Sequence, residues 1–249
     1  MNKTKVSINY ALGELDSTGI ETITQAIFHQ GSTEMVQAHD RHEYPFFQSG
    51  TYYIAKRCLD ISIALVGLAL FALSLPILAL LIFLEDHHSI FYKQQRVGLH
   101  GHLFTTYKLR TMVVDADDYL TQHPEVQAAW EERGKLSHDP RITRIGRFLR
   151  RTSLDELPQL LNVLHGEMTL VGPRAIQASE VAAFGELSQL RQKVKPGLTG
   201  LWQISGRSSI IYQQRCVLDC IYVVECSLWA DMRILIKTIP AVLCARGAC

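Results

Sequence analysis

The sequence carries almost no net charge. Its 25 Lys and Arg residues nearly balance its 24 Asp and Glu residues, so the formal net charge is +1 at pH 7. Proteins that bind nucleic acid usually have a clear basic excess, because their contacts with phosphates depend on cationic side chains. We therefore expect no nucleic-acid partner for this chain.

Closely spaced cysteine pairs are also missing. None of the six cysteines forms a CxxC motif, and they lie at positions 58, 216, 220, 226, 244 and 249. His100 and His102 are a weak metal-like pair, so the spacing argues against a zinc site. A chain of 249 residues, 47% of them hydrophobic, needs no disulfides to form a core. We expect reduced thiols in a cytosolic compartment.

The N-terminus lacks the apolar run of a secretory signal peptide. Residues 1–50 are polar and mixed in charge, and they show no sustained apolar period. Such composition is typical of a segment that does not form a packed core of its own. We interpret residues 1–50 as a variable N-terminal extension.

Charge is absent from one long segment of the chain. Residues 61–84, ISIALVGLALFALSLPILALLIFL, contain no charged side chain over 24 positions. As a helix this run would be about 36 Å long, enough to cross a bilayer core of about 30 Å. A buried helix of a soluble core is the alternative, but such helices rarely stay apolar on every face. The sequence predicts a membrane helix over residues 51–88.

The charges that flank this helix conflict with a simple crossing. A basic pair at 56–57 precedes the apolar run and an acidic pair at 85–86 follows it, so the positive-inside rule would place residues 87–249 outside the cytoplasm. Pro76 interrupts helical hydrogen bonding near the middle of the run, and the Ser74 hydroxyl can satisfy backbone groups freed there. We predict a re-entrant hairpin with both flanks in the cytoplasm, although spanning helices also tolerate proline.

A β-hairpin is predicted directly after the membrane segment. Residues 89–112, SIFYKQQRVGLHGHLFTTYKLRTM, contain two β-rich runs around a turn at 98–101. Lys108 and Arg110 are two positions apart and so would project from one face of a strand. They form either an exposed basic edge that discourages aggregation or a strand that faces phosphate.

Two helical segments follow the hairpin. Residues 115–136 are polar and predict a surface excursion, whereas residues 139–151, DPRITRIGRFLRR, predict an amphipathic helix. Its basic face would consist of Arg141, Arg144, Arg147 and Arg151, and its buried side of Ile142, Ile145, Phe148 and Leu149. Beside a membrane segment, that basic face suits either solvent or anionic lipid headgroups.

An acidic pair comes next in the chain. The segment from Ser153 to Glu156 fits a capping box, and residues 156–164, ELPQLLNVL, would continue as a helix with Pro158 in its first turn. Capping alone leaves Asp155 without a role. A helix N-terminus favours an anion, an ionised carboxylate can attack phosphorus, and a second carboxylate can hold Mg²⁺.

Arginines near this pair predict binding of phosphate oxygens. Arg150 precedes it, Arg174 follows a Gly-Pro turn in LVGPR, and Arg207 ends the glycine-rich stretch KPGLTGLWQISGR. A guanidinium can bind phosphate through two hydrogen bonds, and glycine lets the backbone approach a ligand closely. Together with the acidic pair, these stretches indicate a phosphate-handling site.

The order of these motifs resembles the bacterial sugar transferase family, the monotopic polyprenol-phosphate phosphoglycosyl transferases. The resemblance covers about residues 52–240, through KRCLD, the proline-broken apolar segment, FYKQQRVG, YKLRTM, RRTSLDELPQLLNVLHGEMTLVGPR and PGLTGLWQISGR. It implies an α+β, mostly helical fold. In this fold a re-entrant membrane helix carries a catalytic domain, residues 89–249, on the cytosolic face, with a small β-hairpin and interfacial amphipathic helices.

The resemblance also implies an activity at the bacterial inner (cytoplasmic) membrane. A sugar 1-phosphate would pass from a UDP-sugar to undecaprenyl phosphate with release of UMP, the first membrane step of polysaccharide or glycoconjugate synthesis. Asp155 matches the family nucleophile and Glu156 the adjacent acid that binds Mg²⁺. Arg150, Arg174 and Arg207 match basic residues implicated in substrate binding, and we add Lys108.

Some points stay open at the level of sequence. The identity of the sugar, the pathway and self-association into a homo-oligomer are undetermined. A glycosyltransferase that releases UDP and a non-catalytic membrane-anchored scaffold are the alternatives. Two positions depart from the family pattern: Ala175 replaces the proline of GPRP, and Cys226 replaces the tryptophan of NWS, which would alter anchoring at the membrane interface.

Overall fold

The computed structural model describes residues 50–133, 136, 139–185, 187–206 and 210–243. The predicted N-terminal extension therefore lies outside the described residues, except for Gly50. The described part is mostly helical and contains two small two-stranded sheets. This composition confirms the predicted α+β, mostly helical class.

Helix α1, Gly50–Asp86, is 37 residues long and contains Pro76. By length and composition it is the one helix of the described residues that could cross a membrane. Its buried positions recur on one narrow stripe, and they are Tyr52, Asp60, Ala64, Phe71, Leu78 and Ile82. The other faces expose large apolar side chains, including Leu73, which is 78% exposed. Such a helix requires an apolar environment outside the protein.

Both ends of α1 are attached to the rest of the chain. Near its start, Lys56 Nζ donates to Asp231 Oδ2 at 2.7 Å and to the Val171 carbonyl at 2.9 Å. At its end, the Glu85 carboxylate accepts hydrogen bonds from the backbone amides of Arg144 and Ile145. Both ends of α1 therefore contact the part of the protein that follows it in sequence.

The predicted hairpin is confirmed. Strand β1, Phe91–Val97, pairs antiparallel with strand β2, Leu103–Leu109, around a short 3-10 turn at Leu99–Gly101. Strand β2 ends before Arg110, so only Lys108 of the two predicted basic residues lies in the strand.

Helices α2, Ala116–Gln122, and α3, Pro124–Arg133, confirm the predicted helical excursion. Helix α4 is Arg144–Thr152, and its start is capped by the Thr143 hydroxyl, which accepts from the Gly146 amide. Because α4 begins at residue 144, the prediction that Arg141 belongs to its basic face is wrong.

Two further details of α4 differ from the prediction. Arg141 is buried before the helix and forms an ion pair with Asp139, because a cation inside the protein needs a partner. Phe148 was expected on the buried side but is 53% exposed, whereas Leu149 is fully buried. Phe148 thus adds an apolar side chain to the surface beside the basic residues.

The predicted capping box at the acidic pair is wrong. Ser153 has a left-handed backbone conformation (φ 58°) that ends α4, and its side chain makes no capping hydrogen bond. An N-cap residue needs an extended backbone. Ser153 therefore cannot both end α4 in a left-handed conformation and cap the next helix with its side chain. The acidic pair lies in a six-residue 3-10 helix, Leu154–Gln159, and helix α5 begins only at Leu160–His165.

The C-terminal half forms the main core. Strands β3, Thr169–Val171, and β4, Gly197–Thr199, pair in parallel. Short helices follow: α6, Ala178–Val181, a 3-10 turn, Ala182–Phe184, α7, Leu187–Arg191, and α8, Leu201–Ile204. Helix α9, Tyr212–Glu225, is buried over most of its length, and α10, Leu228–Leu243, packs beside α1. Cys226 is buried in this core, so its replacement of tryptophan does not alter the surface.

Candidate active site

Glu156 is held by two cations. Its Oε1 accepts hydrogen bonds from Lys108 Nζ at 2.8 Å and from Arg174 Nη2 at 2.7 Å, and its Oε2 accepts from Arg174 Nη1 at 3.4 Å. Burial opposes ionisation of this carboxyl, but Arg174 and Lys108 outweigh burial and hold the pKa of Glu156 well below its usual range. Glu156 is therefore an anion, and we call these three residues the Glu156 clamp.

Asp155 has a different environment from its neighbour. Its side chain is buried, and burial together with the adjacent Glu156 charge raises the pKa of Asp155 above its usual value. Lys108, Arg150 and Arg174 act in the opposite direction. Within the described residues no side chain donates a hydrogen bond to the Asp155 carboxylate. Asp155 is therefore a carboxylate surrounded by cations that can also bind phosphate oxygens.

Arg150 approaches the pair from the last turn of α4. Its Nε donates to Thr111 Oγ1 at 2.9 Å, and the backbone carbonyl of Thr111 accepts from the Thr143 amide. The Asp139–Arg141 ion pair lies close enough to act on Arg150 electrostatically. Burial lowers the pKa of Arg150, and the Asp155 charge acts against that effect.

A second ion pair, between Arg191 and Asp219, holds the backbone at Arg174. Arg191 Nη2 donates to the Arg174 carbonyl at 2.7 Å and also to Asp219 Oδ2 at 2.7 Å. Burial raises the pKa of Asp219 to about 6. The Arg174 guanidinium lies 6.0 Å from the centre of the Trp202 ring. Arg191 thus holds the backbone of the residue whose guanidinium binds Glu156.

Sequence reasoning missed two further cations near the site. The positive charge of Arg174 acts on both Arg96 and Arg215, where it adds to burial in lowering the pKa of each guanidinium. Arg96 also interacts with Glu180 at 3.4 Å, and Arg215 lies 4.9 Å from the Trp202 ring. Arg96 belongs to the FYKQQRVG stretch, so position within a recognised motif was the available signal.

The structure brings most of the predicted site residues together. Lys108, Arg150, Asp155, Glu156 and Arg174 come from β2, α4, the 3-10 helix and the loop after β3, and they meet at one place. Arg207 lies outside the described residues. Ser74 and Pro76 lie inside α1, where the Ser74 hydroxyl donates to the Phe71 carbonyl at 2.9 Å.

The acidic pair can contribute to a magnesium site but cannot form one alone. Within the described part of the chain, no group of three or more His, Cys, Asp or Glu side chains could hold a metal ion. Mg²⁺ in phosphoryl-transfer sites commonly uses one or two carboxylates, and substrate phosphates and water complete its coordination. Asp155 and Glu156 fit that role, with Glu156 Oε2 the more available oxygen because its contact with Arg174 is long.

Comparisons with known proteins agree with this geometry. The profile described as "Bacterial sugar transferase" matches residues 51–245. The exopolysaccharide production protein ExoY of Rhizobium meliloti is 44% identical over 200 residues, 78% of this chain and 88% of ExoY. The UDP-galactose-lipid carrier transferase of Erwinia amylovora is 45% identical over 201 residues, 78% of this chain and 42% of that protein.

A third relative extends the comparison. The undecaprenyl-phosphate galactose phosphotransferase of Salmonella typhimurium is 47% identical over 168 residues, 66% of this chain and 35% of that protein. The chain thus spans less than half the length of the Erwinia and Salmonella proteins. The family profile covers well over half of the chain, and the motifs that it matches surround the acidic pair. The chain belongs to the bacterial sugar transferase family.

Proposed function

We propose that this chain transfers a sugar 1-phosphate from a UDP-sugar to undecaprenyl phosphate and releases UMP. The observation that supports it best is a buried carboxylate, Asp155, beside an ionised Glu156 and within a group of cations. The names of the Erwinia and Salmonella relatives describe UDP-galactose, a lipid carrier and a phosphotransferase activity, which agree with this chemistry.

The charges of the site suit a nucleoside diphosphate sugar. Cations outnumber acids there: Arg96, Lys108, Arg150, Arg174 and Arg215 surround Asp155, Glu156 and Glu180. The surplus positive charge matches the two negative charges of a diphosphate and attracts it into the site. A neutral sugar without phosphate would gain nothing from this arrangement.

The proposed reaction has two steps at phosphorus. An Asp155 oxygen attacks the β-phosphorus, a new P–O bond forms, and the bond to the α-phosphate oxygen breaks to release UMP. A phosphate oxygen of the lipid then attacks the same phosphorus, and Asp155 leaves as a free carboxylate. Arg150, Arg174 and Lys108 would bind phosphate oxygens as charge moves between them. Mg²⁺, when bound at the acidic pair, supplies further charge neutralisation.

We infer that α1 enters the bilayer from the cytoplasmic face and returns to it. Both ends of α1 contact the part of the protein that follows it, through Lys56 and Glu85. A helix that crossed the bilayer would instead have its two ends on opposite sides of the membrane. Exposed apolar side chains on α4 and α10 would extend the membrane-facing surface, and they are Phe148, Trp229, Ile236 and Ile239. A site at the membrane suits an acceptor that cannot leave the bilayer.

The leaving nucleotide tests the proposal. The purified chain is incubated with UDP-sugars labelled in the β-phosphate, without a lipid acceptor. We expect UMP release and a labelled phosphosugar on Asp155, detected by mass spectrometry. The Asp155→Asn variant should lose turnover by about three orders of magnitude or more while it remains folded, because the covalent route is closed.

A matched control separates this effect from a simple loss of charge. Asp118→Asn, at an exposed residue of helix α2, also removes one carboxylate and should leave labelling unchanged. Release of UDP without a protein adduct would refute the proposal and favour a glycosyltransferase. A glucosyl or galactosyl donor is tested first, followed by N-acetylated sugars.

A further inference from the structure

The Glu156 clamp has the shape of an occupied phosphate site. Lys108 and Arg174 both bind Oε1 of Glu156, and the two nitrogens at the end of Arg174 reach its two oxygens. A guanidinium fork with a neighbouring ammonium is equally suited to a carboxylate and to a phosphate group. The carboxylate of Glu156 therefore occupies the position that a substrate phosphate would need in order to bind both cations.

The cations are held more firmly than the carboxylate between them. The Arg174 carbonyl is tied to the buried Arg191–Asp219 ion pair, and Lys108 lies within the paired strand β2. Glu156 lies in a single six-residue 3-10 helix. Its side chain is 19% exposed and that of Arg174 is 33% exposed, so the clamp borders solvent. Rotation of the Glu156 side chain away from Lys108 and Arg174 would vacate the site.

We propose that Glu156 is an internal substitute for a substrate phosphate, and that phosphate binding displaces it from Lys108 and Arg174. The displaced carboxylate is then free to act elsewhere in the site, for example toward a metal ion. This inference rests on the proposed function for the identity of the ligand. Glu156 and phosphate therefore compete for the same two cations. The smaller the fraction of molecules with an open clamp, the weaker the apparent affinity for phosphate.

Binding of inorganic pyrophosphate without metal tests this competition. Isothermal titration of the full chain in detergent with EDTA measures binding to wild type and variants. Glu156→Gln removes the competing anion, so pyrophosphate should bind about tenfold more tightly or better, since a neutral amide holds the two cations less strongly than a carboxylate does. In a Lys108→Met background the same change should give a clearly smaller gain.

Two control variants separate displacement from a general effect of charge. Asp155→Asn removes the same charge from the neighbouring residue but leaves the clamp closed, so its gain should be clearly smaller. Glu156→Asp keeps the charge on a shorter side chain that reaches the cations poorly, and it should still bind pyrophosphate more tightly than wild type. It also serves if Glu156→Gln does not fold. Equal gains for Asp155→Asn and Glu156→Gln, or no gain for either Glu156 variant, would overturn the proposal.

Two further ligands distinguish the donor from the lipid acceptor as the source of the phosphate. UDP represents the donor, and dodecyl phosphate in detergent micelles represents the lipid acceptor. Tighter binding of either ligand to the Glu156 variants supports the displacement and identifies its source. UMP release by wild type is measured separately. Turnover without a gain in binding would refute the displacement alone, whereas a gain in binding without UMP release would refute the proposed function alone.

Discussion

The two neighbouring carboxylates show how local environment assigns different chemistry to similar residues. Glu156 accepts hydrogen bonds from Lys108 and Arg174 and is held ionised. Asp155 is buried beside that negative charge, so its own ionisation is disfavoured. Glu156 is therefore ionised, whereas Asp155 is a proposed nucleophile whose reactivity depends on its protonation state.

The pH dependence of turnover should reveal this difference. Asp155 must be ionised to attack, so kcat/KM should rise with pH as Asp155 loses its proton. Because burial and Glu156 raise its pKa, this rise should occur at a higher pH than for an ordinary aspartate. Lys108 lowers the pKa of Asp155, so Lys108→Met should move the rise to still higher pH.

A pH–rate profile measures this shift. Lys93→Met removes a cation from the same hairpin, where Lys93 lies over the Tyr107 ring, and serves as the control. It should leave the midpoint of the rise unchanged. A Lys108→Met profile that moves to lower pH would contradict the assignment of Asp155 as the titrating nucleophile.

At the scale of elements, the junction between β2 and α4 positions Arg150. Gly146 of α4 packs directly on the backbone just after β2, and a Cβ atom added there would lie 2.1 Å from the Thr111 carbonyl oxygen. Thr111 is also the residue that accepts the hydrogen bond from Arg150. Thr111 therefore both packs against α4 and binds Arg150 of the site.

Gly146→Ala should therefore reduce both stability and activity. The helix and the end of the strand must separate to admit the methyl group, which should cost about 1–3 kcal/mol of unfolding free energy. Thermal unfolding in detergent measures the first effect and UMP release the second. Gly50→Ala is the matched control, because a Cβ at Gly50 meets no atom within 4 Å. Equal melting temperatures for both variants would contradict this packing argument.

The topology of α1 can be tested at its midpoint. Under the re-entrant proposal, cysteines introduced at residue 51 and at residue 89 should both be labelled from the cytoplasmic side. Replacing Ser74 and Pro76 together with leucine removes the residue that cannot donate a helical hydrogen bond and extends the apolar run, which should favour spanning. The second flank should then become accessible from the outside.

A conservative change in the same helix provides the control for topology. Leu73→Ile leaves Ser74 and Pro76 in place and should leave both flanks on one side. Labelling of the two wild-type flanks from opposite sides would exclude the re-entrant arrangement.

At the scale of the molecule, a buried polar network joins α1 to α9 and α10. Asp231 of α10 accepts hydrogen bonds from Lys56 Nζ, Tyr52 and Tyr222, at 2.7–3.0 Å. Asp231 has no exposed surface. Since an isolated charge inside a protein is costly, the network couples the position of α1 to the folding of the core around Asp231.

Lys56→Met should destabilise the protein by about 3–5 kcal/mol, because it leaves the Asp231 charge buried without its cation. Adding Asp231→Asn should recover much of this loss, since the neutral amide still accepts from Tyr52 and Tyr222. Unfolding in detergent measures the two single variants and the double variant. A double variant as unstable as the sum of the single changes would show that the residues act independently.

The sequence by itself determined the features that depend on local pattern. A run of 24 residues without charge predicts a long apolar helix, and α1, Gly50–Asp86, contains the whole run. The alternating β-rich runs around a glycine turn determine the hairpin in the same way. Motif order predicted the family, and the acidic pair and its cations do meet in the structure.

Only the tertiary structure decided where the cations point and which residues support them. Arg141 shares the spacing of a helical basic face, yet it is buried with Asp139 because the helix starts three residues later. Ser153 fits a capping motif, yet it ends the preceding helix. Partners far apart in sequence, such as Lys108 with Glu156 and Arg191 with Asp219, cannot be read from local spacing. Their pairing depends on packing, which also gives adjacent carboxylates opposite pKa shifts.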